Sequence, residues 1–145
     1  MYETRRMLQN ALNALEDVFY VYDERGRLVF WNARLNDLFA LTDEQIGGMR
    51  PAEFFLDDDR PAVERAVERI FDEGETVVEA WADTTAGRIR FELTGRKLID
   101  GEGDVIGFCG IGRDVTDRRE RERQVAAQNE RLTQFATILA HDLRN

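Results

Sequence analysis

Cysteine, histidine and lysine are almost missing from this 145-residue chain: Cys109, His141 and Lys97 are the sole residues of their kinds. With one cysteine no intramolecular disulfide can close, and a structural zinc site lacks the soft ligands it needs. Positive charge is short as well. Twenty Lys and Arg stand against 29 Asp and Glu, for a formal net charge of -9. A nucleic-acid groove needs clustered basic residues along a phosphate backbone, so this balance argues against nucleic acid and towards a protein or small-molecule partner. Long apolar runs are missing too. No stretch approaches the roughly 18 consecutive apolar residues of a membrane span, and Met1 to Arg6 lead into no apolar signal core. The expected location is cytoplasmic. Every basic residue except Lys97 is an arginine. An acidic, arginine-rich surface suits a high-salt cytoplasm or a GC-rich genome and points to a halophilic archaeal source.

What is present suffices for one folded domain. Apolar residues make up 43% of the chain and charged residues 34%, one core beneath a charged surface. The length fits a domain of about 100 residues with a helical extension. In residues 1–16, Met7, Leu8, Ala11, Leu12 and Leu15 recur with a helical period, which predicts an amphipathic helix. DVFYVYDERGRLVFWN then gives two runs rich in β-branched and aromatic residues around Asp23-Glu24-Arg25-Gly26, a hairpin.

Residues 33–72 change period. Leu35, Leu38 and Phe39 sit at helical spacing, and Thr42-Asp43-Glu44-Gln45 reads as a capping box with Leu41 and Ile46 as its hydrophobic staple. In RPAVERAVERIFDEG, Val63, Ala66, Val67 and Ile70 share one face, Pro61 falls in the first turn, and Gly74 stops the helix. Three further strands follow, ETVVEAWADT, GRIRFELTGRKLI and DVIGFCGIGRDV, separated by Thr85-Ala86-Gly87 and by the turn from Asp100 to Asp104. Ile89, Phe91 and Leu93 alternate with Arg88, Arg90, Glu92 and Thr94, so one face of that strand meets a core. The expectation is an α+β fold with a five-stranded antiparallel sheet whose short helices lie between strands two and three. After Thr116 the 29 residues to Asn145 contain neither Gly nor Pro, which predicts a long helix projecting from the domain.

This order of elements resembles a PAS domain, the small sensor module of signalling proteins. VFYVYDERGRLVFWNARLNDLFALT is similar to the PAS opening, in which the second strand ends in an asparagine that starts the first helix, here Asn32. GFCGIGRDVTD is similar to the last PAS strand with its Asp-x-Thr close, here Asp114 and Thr116. The likeness implies a PAS domain over residues 17–116, with a helix before it and a helical linker after it. It also implies that Asp114 and Thr116 couple the sheet to the following helix. Locally, the same carboxylate and hydroxyl can simply cap that helix by accepting from orphan amides.

On a helix numbered from Leu132 at 100° per residue, Ala136, Leu139 and Leu143 stay within about 40° of one another's seam. His141 falls about 180° away, on the outer face. Asn145 follows one turn later, and Asp142 sits at the seam's edge. A lone exposed histidine is by itself an ordinary surface residue. As a neutral imidazole near its usual pKa of about 6.5 it is also a competent nucleophile beside a carboxylate. FATILAHDLRN resembles the opening of the dimerisation and phosphoacceptor helix of sensor histidine kinases. That resemblance makes His141 the phosphoacceptor, Asp142 the acidic neighbour that assists transfer, and Asn145 the residue that can orient water in the reverse, phosphatase reaction. No proline follows Asn145, and neither the second hairpin helix nor an ATP-binding domain is present, so residues 117–145 read as a linker and a cut-off phosphoacceptor helix. Alone, such a chain is expected not to phosphorylate itself.

Haem ligation by histidine of the kind some PAS domains use is not expected, because His141 lies outside the domain, and Cys109 sits in a strand rather than in a flavin-adduct motif. No cofactor is named by the sequence. Trp31, Trp81, Phe91 and Phe108 are candidates to line a small apolar pocket, although such aromatics also serve as plain core. The terminal helices are expected to pair in a homodimer, because Leu12, Leu15, Val125, Leu132 and Leu139 form seams that one chain cannot bury. A kinase catalytic domain and a response regulator are the implied partners. The alternative is a PAS binding or dimerisation module of a transducer or transcription regulator without phosphotransfer, and a small enzyme is the weakest reading, since no catalytic cluster is present.

Overall fold

The computed structural model describes residues 2–116, together with Glu130 and Ala136. The chain divides into two units, Met1–Asp114 and Val115–Asn145, and the first carries the sheet. His141, Asp142 and Asn145, with the expected seam positions Val125, Leu132 and Leu139, lie outside the described residues.

Helix α1 (Tyr2–Asn13) precedes β1 (Val18–Asp23) and β2 (Leu28–Trp31). The hairpin turn is shaped by Asp23, whose Oδ1 accepts from the backbone N–H of Arg25 at 2.9 Å and of Arg27 at 3.0 Å. Gly26 supplies the positive φ of 77° that this turn needs. Next come α2 (Ala33–Phe39) and α3 (Asp43–Ile46). The expected capping box closes α3: Thr42 Oγ1 accepts from the Gln45 amide at 3.3 Å, and Gln45 Oε1 accepts from the Thr42 amide at 2.9 Å. Ile46 is then wholly buried. Two 3-10 turns, Pro51–Phe54 and Asp57–Asp59, lead into α4 (Arg60–Glu73). Strands β3 (Glu75–Thr84), β4 (Gly87–Ile99) and β5 (Val105–Asp114) complete the domain.

The five strands form one antiparallel sheet in the order β2-β1-β5-β4-β3. Its two edges, β2 and β3, are consecutive in sequence, so residues 33–73 must cross the whole sheet to connect them. They cross on one face and bury it. Strand alternation supplies the floor of the resulting core: Val18, Tyr20 and Tyr22 from β1, Ala80 and Ala82 from β3, and Ile89 and Phe91 from β4 are all buried. Helix α4 supplies the roof through Val63, Ala66 and Ile70, with Val67 half-buried beside them. Gly95 in β4 sets how closely that helix can approach. A Cβ there would strike the Ile70 side chain, so bare backbone is needed under α4. Asn32 is the one buried polar side chain among the fully buried positions of this core. No described helix is long and apolar enough to cross a membrane.

Candidate functional site

Between the sheet and its helical cover lies a cavity of about 60 Å³. Tyr20 and Tyr22 of β1, Phe91 of β4 and Phe108 of β5 make its floor, and Phe54, Phe55, Val63 and Ile70 make much of its roof. No charged side chain lines it. Phe91 and Phe108 thus stand where the sequence placed pocket residues. Trp31 and Trp81 stand elsewhere, and the reason is their polar indole edge and their strand parity.

Trp31 turns towards α2 and α3, where its Nε1 donates to Asn36 Oδ1 at 3.1 Å and to Asp43 Oδ1 at 3.2 Å. A half-buried indole N–H needs such acceptors, and Asn36 and Asp43 supply them at the surface rather than in the cavity. Trp81 lies between Ala80 and Ala82, both wholly buried, so alternation sends its ring to the opposite face of the sheet. There the Arg90 guanidinium sits 5.5 Å from its ring centroid and pairs with Glu79 at 3.2 Å. Trp81 acts on the roof segment through its backbone. The Trp81 amide donates to Asp59 Oδ2 at 2.7 Å, and the Trp81 carbonyl accepts from the Leu56 amide at 2.9 Å. These two bonds tie the roof segment around Phe54 and Phe55 to the edge of β3, and they pair backbone groups that an open edge would leave exposed.

The two floor tyrosines differ. The Tyr20 hydroxyl donates to the Thr94 carbonyl at 2.6 Å and approaches the Ile111 carbonyl at 3.3 Å. Burial, and after it the nearby Cys109 thiol, push its pKa far above the usual phenol range. Tyr22 is 4% exposed, stacked on Phe108 with ring centroids 4.9 Å apart and set edge-on to Tyr20 at 5.6 Å. Burial foremost, then Tyr20 and the Glu53 carboxylate, raise its pKa as well. Its hydroxyl has no hydrogen-bond partner among the described residues, at a cost of about 1–3 kcal/mol for a buried donor left unpaired. Sequence reasoning missed Tyr22, although the alternation of Val18, Tyr20 and Tyr22 in β1 carried the signal.

Asn32 shows the opposite economy of polar groups. Its Oδ1 accepts from the Phe19 amide at 3.0 Å, while Nδ2 donates to the carbonyls of Leu12 at 2.9 Å and Asp17 at 3.0 Å. The asparagine picked out by family likeness therefore fastens the end of α1 and the start of β1 to the end of β2. Asp114 ends β5, and Thr116 is helical. Cys109 is half-buried in β5, where burial raises its thiol pKa, and it is absent from the cavity lining. Among the described residues no cluster of His, Cys, Asp and Glu could hold a metal ion.

A uniform picture comes from comparison with known proteins. A family model described as the PAS fold matches residues 12–120. The aerobic respiration control sensor protein ArcB of Escherichia coli (strain K12) is 24% identical over 139 residues, 94% of this chain and 18% of that protein. The methanogenesis regulatory histidine kinase FilI of Methanothrix harundinacea (strain 6Ac) is 26% identical over 118 residues, 81% of this chain and 13% of that protein. The chain thus spans less than a fifth of the curated relatives it matches. Among solved structures, the PAS domain of a protein from Colwellia psychrerythraea superposes with a TM-score of 0.66 at 20% identity, over 81% of this chain and 99% of that one.

Proposed function

The chain belongs to the PAS fold family, and from that premise we propose that it is the sensory input module of a two-component histidine kinase. The observation that carries this reading is the cavity, an apolar space between sheet and helices whose floor includes β5, the strand from which the chain runs on towards AHDLRN. Occupancy of the cavity shifts β5, Asp114 and Thr116 pass the shift to residues 117–145, and the output is a change in phosphorylation of His141. Asp142 assists the transfer and Asn145 orients water for the reverse reaction. The ATP-binding chemistry, and the response regulator that receives the phosphoryl group, belong to a longer protein and its partner. Similarity to segments of a sensor protein and a regulatory histidine kinase supports this assignment.

A second copy of the chain covers α1 in this reading. Met7 is 69% exposed and Leu8 60% exposed, apolar surface that one domain leaves in water. Pairing through the terminal helices would bury it, and sedimentation at high micromolar concentration in molar salt should report a dimer. The surroundings we assign are a cytoplasm of high salt, to which the net charge of -9 is suited.

The test is phosphorylation. A longer protein carrying the whole helical hairpin, mixed with ATP and a kinase catalytic domain, should be labelled on His141. Equal labelling of a His141→Gln variant would overturn the site and leave a PAS module without phosphotransfer.

A further inference from the structure

We propose that the cavity takes a small uncharged molecule with a single hydrogen-bond acceptor, and that the Tyr22 hydroxyl is the donor that reads it. The proposal rests on the sensory reading and names what is sensed. Three observations on the cavity carry it. First, Tyr22 is a rigid donor without an acceptor: stacking on Phe108 and edge contact with Tyr20 fix its ring, it is 4% exposed, and its hydroxyl has no partner among the described residues. A buried donor in that state favours any occupant that accepts from it. The adjacent Tyr20 hydroxyl is already committed to Thr94, so of the two floor tyrosines Tyr22 is the one whose hydroxyl is left to donate to an occupant.

Second, the lining holds no Lys, Arg, His, Asp or Glu. An ionised ligand would enter without a counter-charge and lose its hydration, so charged metabolites are rejected. Third, the volume of about 60 Å³ lies well below the roughly 150 Å³ that houses a benzene ring, which limits the occupant to a few heavy atoms. The route in follows from two shared wall residues. Pro51 and Val67 line both the cavity and a polar surface cleft that includes Arg50, Glu53 and Glu64, so the partition between cleft and cavity is a single layer of side chains.

Acetone, isobutene and acetate form a matched set of probes, all planar with four heavy atoms, respectively a neutral acceptor, a hydrocarbon and an anion. Titrated into the 145-residue chain and followed through the ring signals of Phe91 and Phe108, acetone and isobutene should bind and acetate should not. Tyr22→Phe should weaken acetone about threefold to tenfold while leaving isobutene within about twofold, the factor that one hydrogen bond supplies. Without probe, the same variant should melt no lower than the parent, because it loses an unpaired hydroxyl. The proposal fails if Tyr22→Phe leaves acetone binding unchanged or weakens both neutral probes alike, if acetate binds, or if no probe binds. A lowered melting temperature would also overturn it, by revealing that water or Glu53 already satisfies the hydroxyl. Binding is read here without any phosphoryl transfer, so failure of the His141 assignment leaves these outcomes intact, and the reverse holds too.

Discussion

Asn32 and Tyr22 are both buried polar side chains beside β1, and the two regions they occupy treat hydrogen bonding in opposite ways. Around Asn32 three bonds of 2.9–3.0 Å lock the end of α1, the start of β1 and the end of β2 into one junction. Tyr22 lines an apolar cavity, and its hydroxyl has no hydrogen-bond partner among the described residues. A satisfied buried amide makes a region rigid and specific, because any other arrangement strands several groups at once. An unsatisfied hydroxyl does the reverse: it keeps a small reserve of free energy that an incoming molecule can release. Fixed framework and responsive interior thus lie at the two ends of one hairpin, Tyr22 in β1 and Asn32 just past β2, ten residues apart in sequence.

The contrast can be broken most severely at Asn32. Asn32→Ala strands the Phe19 amide and the two carbonyls at once and should cost about 2–4 kcal/mol in denaturant unfolding. A cost below 1 kcal/mol would mean that water replaces the side chain and that the junction is no lock. Gly95→Ala attacks the cavity side. Its methyl meets Ile70, so α4 must lift or the side chain must rotate, and a loss of about 1–3 kcal/mol is expected by the same measurement.

Alkaline pH sharpens the comparison between the two tyrosines and their surroundings. Both folded pKa values are raised, so the protonated phenol is the form the fold holds. Their contribution is fully present below the unfolded pKa of about 10 and is lost as pH rises above it, because the unfolded chain then binds fewer protons. Each tyrosine should steepen the decline by about 1.4 kcal/mol per pH unit there, and replacing either with Phe should remove its share of the slope in unfolding titrations. The smallest effect is the most discriminating. At neutral pH Tyr20→Phe abandons the bond to Thr94 and should cost about 1 kcal/mol, whereas Tyr22→Phe should cost nothing. Equal costs in thermal unfolding would erase the distinction between the two hydroxyls.

Much of this architecture is legible before any coordinates. The capping box at Thr42 and Gln45, the buried face of α4 and the alternating core of β4 follow from local patterns, and local patterns are what these elements obey. The order of strands and helices then suffices for the PAS fold. The cavity was half legible. Phe91 and Phe108 have no polar atom to satisfy and could enter it, while Trp31 sought acceptors and Trp81 obeyed the parity of its strand. That parity was itself visible in Ala80-Trp81-Ala82, where small residues fit beneath packed helices and a bulky one does not. The roles of Asn32 and Tyr22 were not legible, because partners 13 to 20 residues away decide one, and the absence of partners across a tertiary space decides the other. Val18 to Tyr22 nevertheless shows the two-residue rhythm that placed Tyr22 inward.

The pairing of β1 with β5 in the middle of the sheet has a consequence for how such a module can be built into larger proteins. Val18, at the beginning of the domain, is paired with Gly112, near its finish, so incoming and outgoing polypeptide meet at neighbouring strands. Adjacent strands stand only about 4.8 Å apart. A domain wired in this way can be spliced into a continuous rod much as a loop is sewn into a seam: it adds a sensor on the side and barely lengthens the thread. Evolution can then duplicate, delete or exchange the module without refitting what lies before and after it.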